Sequence, residues 1–212
     1  MKFTVVGSTS PTGLQVLEKG IKRGHEITAF TRRRQKLAHV QGLEAVIQGN
    51  GLEPADVKKA VAGQDAVIAI VGSENKKATT ETTDVMRIIM GEMRKAKVNR
   101  LLFVSSYLLD GNRPRIVLPL IRRIYRHSLA DLRSAEQFIS SSSTDWTIVR
   151  PTALNDRSET NKVRIARNED YFQSGPYEIS RSDLANVLLD GLERGADIQS
   201  TIKVTWAKKS YY

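Results

Sequence analysis

Residues 2–32 read KFTVVGSTSPTGLQVLEKGIKRGHEITAFTR, and their pattern decides the fold. Phe3 to Val6 is a short apolar run that reads as a strand. Leu14, Leu17 and Ile21 recur at three and four residues, the period of a helix, and Glu26 to Thr31 is a second strand. Strand, turn, helix and strand within about thirty residues is the spacing of a dinucleotide-binding βαβ unit. Gly7 lets the chain turn tightly off the first strand, and Gly13 lets the helix start close against it. The N–H groups from Thr9 to Leu14 are expected to face a pyrophosphate at the positive end of the helix, with Thr9 and Thr12 adding hydroxyls. Ser10, followed by Pro11, stands where such loops usually carry a further glycine. Its Cβ requires it either to avoid positive φ or to hold a modest strain.

The end of the second strand selects the cofactor. An NAD site places Asp or Glu there for the adenine ribose hydroxyls, and an NADP site places Arg. This chain has Thr31, Arg32, Arg33 and Arg34 and no carboxylate. A guanidinium grips a 2′-phosphate through paired, charge-assisted hydrogen bonds that a carboxylate would repel. NADP(H) is therefore the expected cofactor, with Arg32 as the principal phosphate ligand and Arg33 beside it. The competing reading is a solvated basic turn.

Outward from this unit, apolar runs continue at Ala45 to Gln48, Ala66 to Val71, Leu101 to Ser105, Thr147 to Val149 and Thr201 to Thr205. Helical patterns alternate with them: Val85, Ile88 or Ile89 and Met93; Leu132, Ala135 and Ile139; and Leu184, Leu188 and Leu192, the last opened by Ser182 as N-cap. Near-continuous apolarity in the strands implies cover on both faces. The expectation is an α/β, Rossmann-type, doubly wound parallel sheet with helices on both faces, residues 1–212 forming one domain. Lys76 to Asp84 (KKATTETTD) reads as a solvated connection in preference to a mobile lid.

At 212 residues, 40% hydrophobic and 26% charged, the chain has the composition of a globular protein with one sizeable core. No run reaches the roughly 18 apolar residues that span a bilayer, and Lys2 leading straight into FTVV lacks the pattern of a secretory signal. Zero cysteines exclude disulfides, thiolate metal sites and Cys nucleophiles; His25, His39 and His127 are too scattered to suggest a metal cluster, and a cytoplasmic location is expected. The net charge of +10 invites a nucleic-acid reading. It is concentrated in Arg32, Arg33, Arg34 and Lys36 and in Arg113, Arg115, Arg122, Arg123 and Arg126, without the interleaved aromatics of a single-strand surface. Anionic cofactors account for it as well, so neither nucleic acid nor a membrane is an expected partner.

GSTSPTG, TRRRQKL, QGNGLEPADVKKAVAGQDAVI, FVSS, DWTIVRPTAL and ISRSDLA follow one another along nearly the whole chain. This series resembles the atypical short-chain dehydrogenases with an NAD(P)H-binding, NmrA-like domain, and is similar to the flavin and biliverdin reductases among them. The resemblance implies that Gly49, Asn50 and Leu52 hold the adenine, Asn50 replacing an acid but keeping an acceptor, with Gly51 also at the cofactor. It implies that Val71, Gly72 and Ser73 run beside the cofactor, as do Ser105 and Ser106, and that Pro151, Thr152, Ala153 and Leu154 border the nicotinamide. Asp183 reads as a structural residue at a helix start.

Carbonyl reduction in extended relatives uses a Tyr-x-x-x-Lys pair as acid. Here Tyr107, Tyr125, Tyr171 and Tyr177 are followed at the fourth place by Gly111, Leu129, Gly175 and Arg181, Tyr211 is nearly terminal, and the helix position for the lysine holds Leu132. Flavins, quinones and linear tetrapyrroles delocalise the charge that hydride brings, so they need a dedicated acid less. A small planar acceptor of that kind is expected, with Ser105 and Ser106 as positioning residues and residues 106–128 and 151–180 forming the substrate side. Tyr107, Tyr125 and His127 are further candidates, the last two read first as surface positions. The stretch IVLPLIRRIYRH, residues 116–127, reads as a helix covering the sheet with a solvated polar face; an anionic ring, a membrane surface or a protein partner are its other readings. The competing function is a non-catalytic NADP(H) sensor acting on a protein partner.

Overall fold

In the computed structural model, residues 1–72 and 78–207 are described. Four strands at the N-terminal side, β1 (Lys2–Val6), β2 (Glu26–Thr31), β3 (Ala45–Gln48) and β4 (Ala66–Ala69), alternate with helices α1 (Pro11–Lys22) and α2 (Pro54–Val61). Then come α3 (Glu81–Lys95), β5 (Arg100–Val104), α4 (Val117–Ile124), α5 (Arg126–Ser140) and β6 (Asp145–Pro151). The last part holds β7 (Ala153–Asn155), β8 (Val163–Arg167), β9 (Glu178–Ser180), α6 (Arg181–Glu193) and β10 (Ser200–Trp206). Eight strands form one sheet in the order β3-β2-β1-β4-β5-β6-β10-β8, while β7 and β9 make a separate parallel pair. All neighbours in the large sheet are parallel except β8, which runs antiparallel on the β10 edge. This is the doubly wound, Rossmann-type α/β fold, with its switch point between β1 and β4.

Both faces are covered because alternate strand residues feed two cores. Phe3, Val5, Ile27 and Ala29 pack with Val16 and Leu17 of α1 and with Leu184, Leu188 and Leu189 of α6. Val6, Val67, Leu101 and Phe103 face Met86, Ile89 and Met93 of α3, Ile139 of α5 and Val57 of α2. Each fully buried side chain of this size removes apolar surface worth about 1.5–3 kcal/mol, so the central strands anchor the fold and the site can be built on their ends.

Three sequence expectations change. Ser180, not Ser182, caps α6: its Oγ accepts from the Asp183 N–H at 3.0 Å. Glu81 to Asp84 are not loop but the first turn of α3, where Glu81 and Asp84 sit favourably at the positive helix end. Within 116–127, α4 packs against α5 and the 3₁₀ turn Tyr107–Leu109, and it turns its apolar side to solvent, burying only Leu118. Arg122 takes the inward place, donating to the carbonyls of Leu108 and Gly111 at 2.6 Å each.

A candidate pyridine-nucleotide site

The carboxyl ends of β1, β2, β3 and β4 open into a cavity of about 660 Å³. Gly7 builds its floor. At φ +78° it bends the chain out of β1, and a Cβ there would meet the Ile70 carbonyl oxygen at 2.1 Å. Gly13 lies in the first turn of α1, where a Cβ would meet the Gly7 carbonyl oxygen at 2.4 Å. The two glycines thus let the turn, the first helical turn and the end of β4 close on one another. That closeness is the cradle a phosphate needs at a helix start.

Ser10 resolves without strain, at φ −72° and ψ 155°, and serves as the N-cap of α1 by accepting from the Gly13 N–H at 3.0 Å. The expected row of free amides is therefore shorter than the sequence implies. The N–H groups of Ser10, Gly13 and Leu14 are bonded within the turn and helix, and Pro11 has none. Thr12 is buried, so its hydroxyl is no ready phosphate donor. Two further hydrogen bonds tie this turn to the end of β2: Ser8 Oγ donates to the Phe30 carbonyl at 3.0 Å, and the hydroxyls of Thr9 and Thr31 meet at 3.2 Å.

Across the cavity, Thr31, Arg32, Arg33 and Lys36 line its basic end, and Thr31 Oγ1 accepts from the Arg33 N–H at 3.1 Å. Arg34 turns elsewhere, into the 3₁₀ turn Arg34–Leu37. Glu81 is the one carboxylate on the cavity wall among the described residues, 3.6 Å from Arg32, whose side chain is otherwise exposed. Its place is set by Asp131 of α5, which accepts from the N–H groups of Thr82 and Thr83 at 2.9 and 3.0 Å and so caps α3 from another helix. Lys36, Glu81, Thr82 and Val85 escaped the sequence reading, because their approach depends on how α3 and the turn after β2 fold back. The run RRRQK was the available signal for Lys36.

Gly49, Asn50 and Gly51 line the same cavity, as do Ile70, Val71 and Gly72, where the chain leaves β4 earlier than its apolar run suggests. The Asn50 side-chain oxygen accepts from the Leu52 N–H at 3.2 Å, so the acceptor that replaces an acid is used by its own turn. Leu52 does not line the cavity and is 39% exposed. Ser73 lies outside the described residues.

The remaining predicted residues sit on the same sheet edge, beyond this cavity. Ser105 follows β5, its N–H donating to the Val149 carbonyl at 2.8 Å; its Oγ is buried and has no hydrogen-bond partner among the described residues. Ser106 differs: its Oγ accepts from the Leu108 N–H at 3.2 Å and caps a 3₁₀ turn. Pro151 ends β6, Thr152 is buried with its hydroxyl 3.1 Å from that of Thr205, and Ala153 and Leu154 belong to β7. Tyr107 is buried in a small cluster, stacked on Phe172 and Tyr177 at 6.0 and 6.3 Å. Burial pushes its phenol up, and the hydroxyl lies near the Asn112 and Arg113 amides without making a well-formed hydrogen bond. Tyr125 is exposed at the junction of α4 and α5, with His127 two residues on, in the first turn of α5. Behind these residues Arg150 bridges Asp110 and Glu136 at 2.5 Å each, and fully buried Lys203 approaches Asp110 at 3.3 Å. This network locks the turn after β5 to α5, β6 and β10.

Residues 7–194 match the family model described as NAD(P)H-binding. The chain belongs to that family. Its cavity fits the ligand the family is named for, since the glycine cradle, the basic end and the β1/β4 switch point all occur in one space. Solved structures with the same fold include a Bacillus halodurans protein provisionally called an NAD-dependent epimerase/dehydratase, 26% identical, TM-score 0.81, covering 98% of this chain and 95% of that one. An anaerobilin reductase of Escherichia coli O157:H7 is 19% identical, with TM-score 0.83 and full coverage of both chains. A short-chain dehydrogenase/reductase of Veillonella parvula in complex with NADP is 18% identical, with TM-score 0.81 and 99% of each chain covered. Among the described residues no helix is long and apolar enough to cross a membrane, and no three His, Asp or Glu side chains group as a metal site would need.

Proposed function

We propose that this family member is an NADPH-dependent reductase delivering hydride to a flat, conjugated acceptor of the flavin, quinone or linear-tetrapyrrole kind. The observation that carries the reading is the state of the hydroxyls beside the acceptor. Tyr107 is sealed in an aromatic cluster with its hydroxyl buried and unbonded, Ser106 is a cap, Thr152 is bonded inside the sheet, and of the two serines after β5 it is Ser105 that retains an uncommitted hydroxyl. Such a site orients two rings and has no positioned phenol, which suits acceptors that delocalise charge and take their proton from solvent. No tyrosine of the chain is followed at the fourth place by a lysine, which argues against epimerase or dehydratase chemistry of the Tyr-x-x-x-Lys type, and the fold shared with the E. coli anaerobilin reductase is in keeping with a bilin-like acceptor.

The test is loss of NADPH absorbance with a panel of FMN, a simple naphthoquinone and biliverdin. Turnover with any of them supports the reductase. Tight NADPH binding without turnover would replace it with a sensor whose occupancy alters affinity for a partner. Ser105→Ala should lower turnover about tenfold, the worth of one positioning hydrogen bond of roughly 1.4 kcal/mol, with NADPH affinity retained. Ser106→Ala, which removes a cap, should act on thermal stability instead.

The preference for NADPH rests on Arg32 and its neighbours. Arg32→Ala should weaken NADPH by about 1.5–3 kcal/mol, the range for hydrogen bonds to charged groups, and leave NADH within twofold. Isothermal titration with both nucleotides decides the matter: an equal loss for the two would remove Arg32 from the 2′-phosphate site.

A further inference from the structure

The most unusual surface of the molecule is α4. An eight-residue helix in a globular protein ordinarily buries its apolar side, yet here Ile116 is 90%, Leu120 62%, Ile124 53% and Val117 48% exposed. At 3.6 residues per turn these four positions fall within one sector of about 100°, so they form a continuous apolar strip rather than scattered contacts. The helix is held in this orientation. Leu118 is buried on the opposite side, and Arg122 is clamped there by the Leu108 and Gly111 carbonyls, so α4 cannot roll its apolar side inward without breaking both bonds.

Charge identifies what covers the strip. Arg123 within the helix, Arg115 just before it and Arg126 just after it are exposed, and no Asp or Glu occurs anywhere from residue 111 to residue 130. A second copy docking the same face by a two-fold axis would bring these arginines together without a counter-charge. An apolar strip bordered by arginines is the pattern of a helix lying in the headgroup region of an anionic bilayer, apolar side down and cations among the phosphates. We propose that α4 is a reversible docking surface for anionic membranes. It lies on the surface and does not span, in keeping with its length of about 12 Å at 1.5 Å per residue. The proposal does not rest on nucleotide binding, since none of these residues lines the nucleotide cavity.

The experiment is sedimentation of the full chain with vesicles of phosphatidylcholine alone or mixed with phosphatidylglycerol. Wild type should pellet with the mixed vesicles at least about tenfold more strongly than with the neutral ones, and added salt should reverse it. The double variant Leu120→Glu/Ile124→Glu should lose that binding about tenfold or more. Both positions are exposed, so thermal unfolding and NADPH affinity should match wild type and show that the variant is folded. A second double variant, Arg123→Gln/Arg126→Gln, should weaken binding to the anionic vesicles alone. Failure of wild type to pellet, or pelleting unchanged in the Glu variant, overturns the proposal. So does a wild-type dimer in vesicle-free solution that the Glu variant converts to monomer, because the strip would then be covered by a second copy.

Discussion

Gly7→Ala should abolish measurable NADPH binding and lower the unfolding temperature by about 4–20 °C. Two costs combine. A side chain at φ +78° strains the backbone by roughly 1–2 kcal/mol, and the added Cβ would stand 2.1 Å from the Ile70 carbonyl oxygen. That oxygen belongs to backbone, which cannot swing aside as a side-chain tip can. Ile70 is tied to β1 by its N–H, which donates to the Val6 carbonyl at 2.9 Å, so relief must part β1 from β4 at the switch point. Overpacking of this kind costs about 1–3 kcal/mol more. With roughly 2–4 °C per kcal/mol for a chain of this size, the sum gives the expected fall. The cradle opens in the same movement, so affinity and stability are lost together. Gly24→Ala is the control: φ there is +80° but nothing stands within 4 Å of the new methyl. It should cost only the backbone strain and leave NADPH affinity unchanged. Equal behaviour of the two variants, by titration calorimetry and thermal unfolding, would show that the close approach at Ile70 does not shape the site.

The contrast between these glycines also explains how much of the molecule could be read in advance. The first βαβ unit was legible because its signals are local: an apolar run, a turn glycine and a helical period, all within one stretch of chain. The central strands β4, β5 and β6 were legible for the same reason. β7, β8 and β9 were not. β8 reads VRIAR, in which arginines alternate with apolar residues at a sheet edge, and β7 and β9 are three residues each, paired only through distant chain. At the site, Gly7, Ser10 and Arg32 could be placed by spacing and Asn50 through the family resemblance, whereas Lys36, Glu81 and Thr82 enter the cavity through tertiary folding. Ser106 and Thr152 follow β5 and β6 at the carboxyl edge of the sheet, but whether a hydroxyl is free or bonded is not written in the sequence. α4 misled for a deeper reason. Its pattern is that of an amphipathic helix, and pattern alone does not tell which side meets the protein.

Asp183→Ala should reduce global stability by about 3–5 kcal/mol, the largest single loss expected outside the nucleotide cradle. The carboxylate is fully buried and accepts hydrogen bonds from the Trp206 indole N–H at 2.5 Å, from the Thr160 and Asn161 N–H groups at about 3 Å, and from Ser180 Oγ at 2.8 Å. It thereby ties the start of α6 to β10 and to the chain before β8. Removing it leaves two buried donors unpaired, the Trp206 indole N–H and the Ser180 hydroxyl, each costing about 1–3 kcal/mol where water cannot replace the lost acceptor, and frees the part-buried Thr160 and Asn161 N–H groups. Burial alone would raise its pKa, but the indole, the hydroxyl and the two amides together hold it below the ordinary value of 3.8. The sign of the pH effect follows. A carboxylate whose native pKa lies below its unfolded value contributes in full above the unfolded value, and its contribution is lost as pH falls through the native one. Denaturant unfolding of wild type and Asp183→Asn should therefore give a constant stability difference from neutral pH down to about pH 5. The difference should then shrink below the ordinary carboxylate value of 3.8, as wild type takes up its proton. A difference that stays constant through that range would mean that the charge on Asp183 contributes nothing beyond the shape of its side chain. NADPH affinity at temperatures where the variant is folded should remain within twofold, since Asp183 holds α6 and β10 together without reaching the cavity.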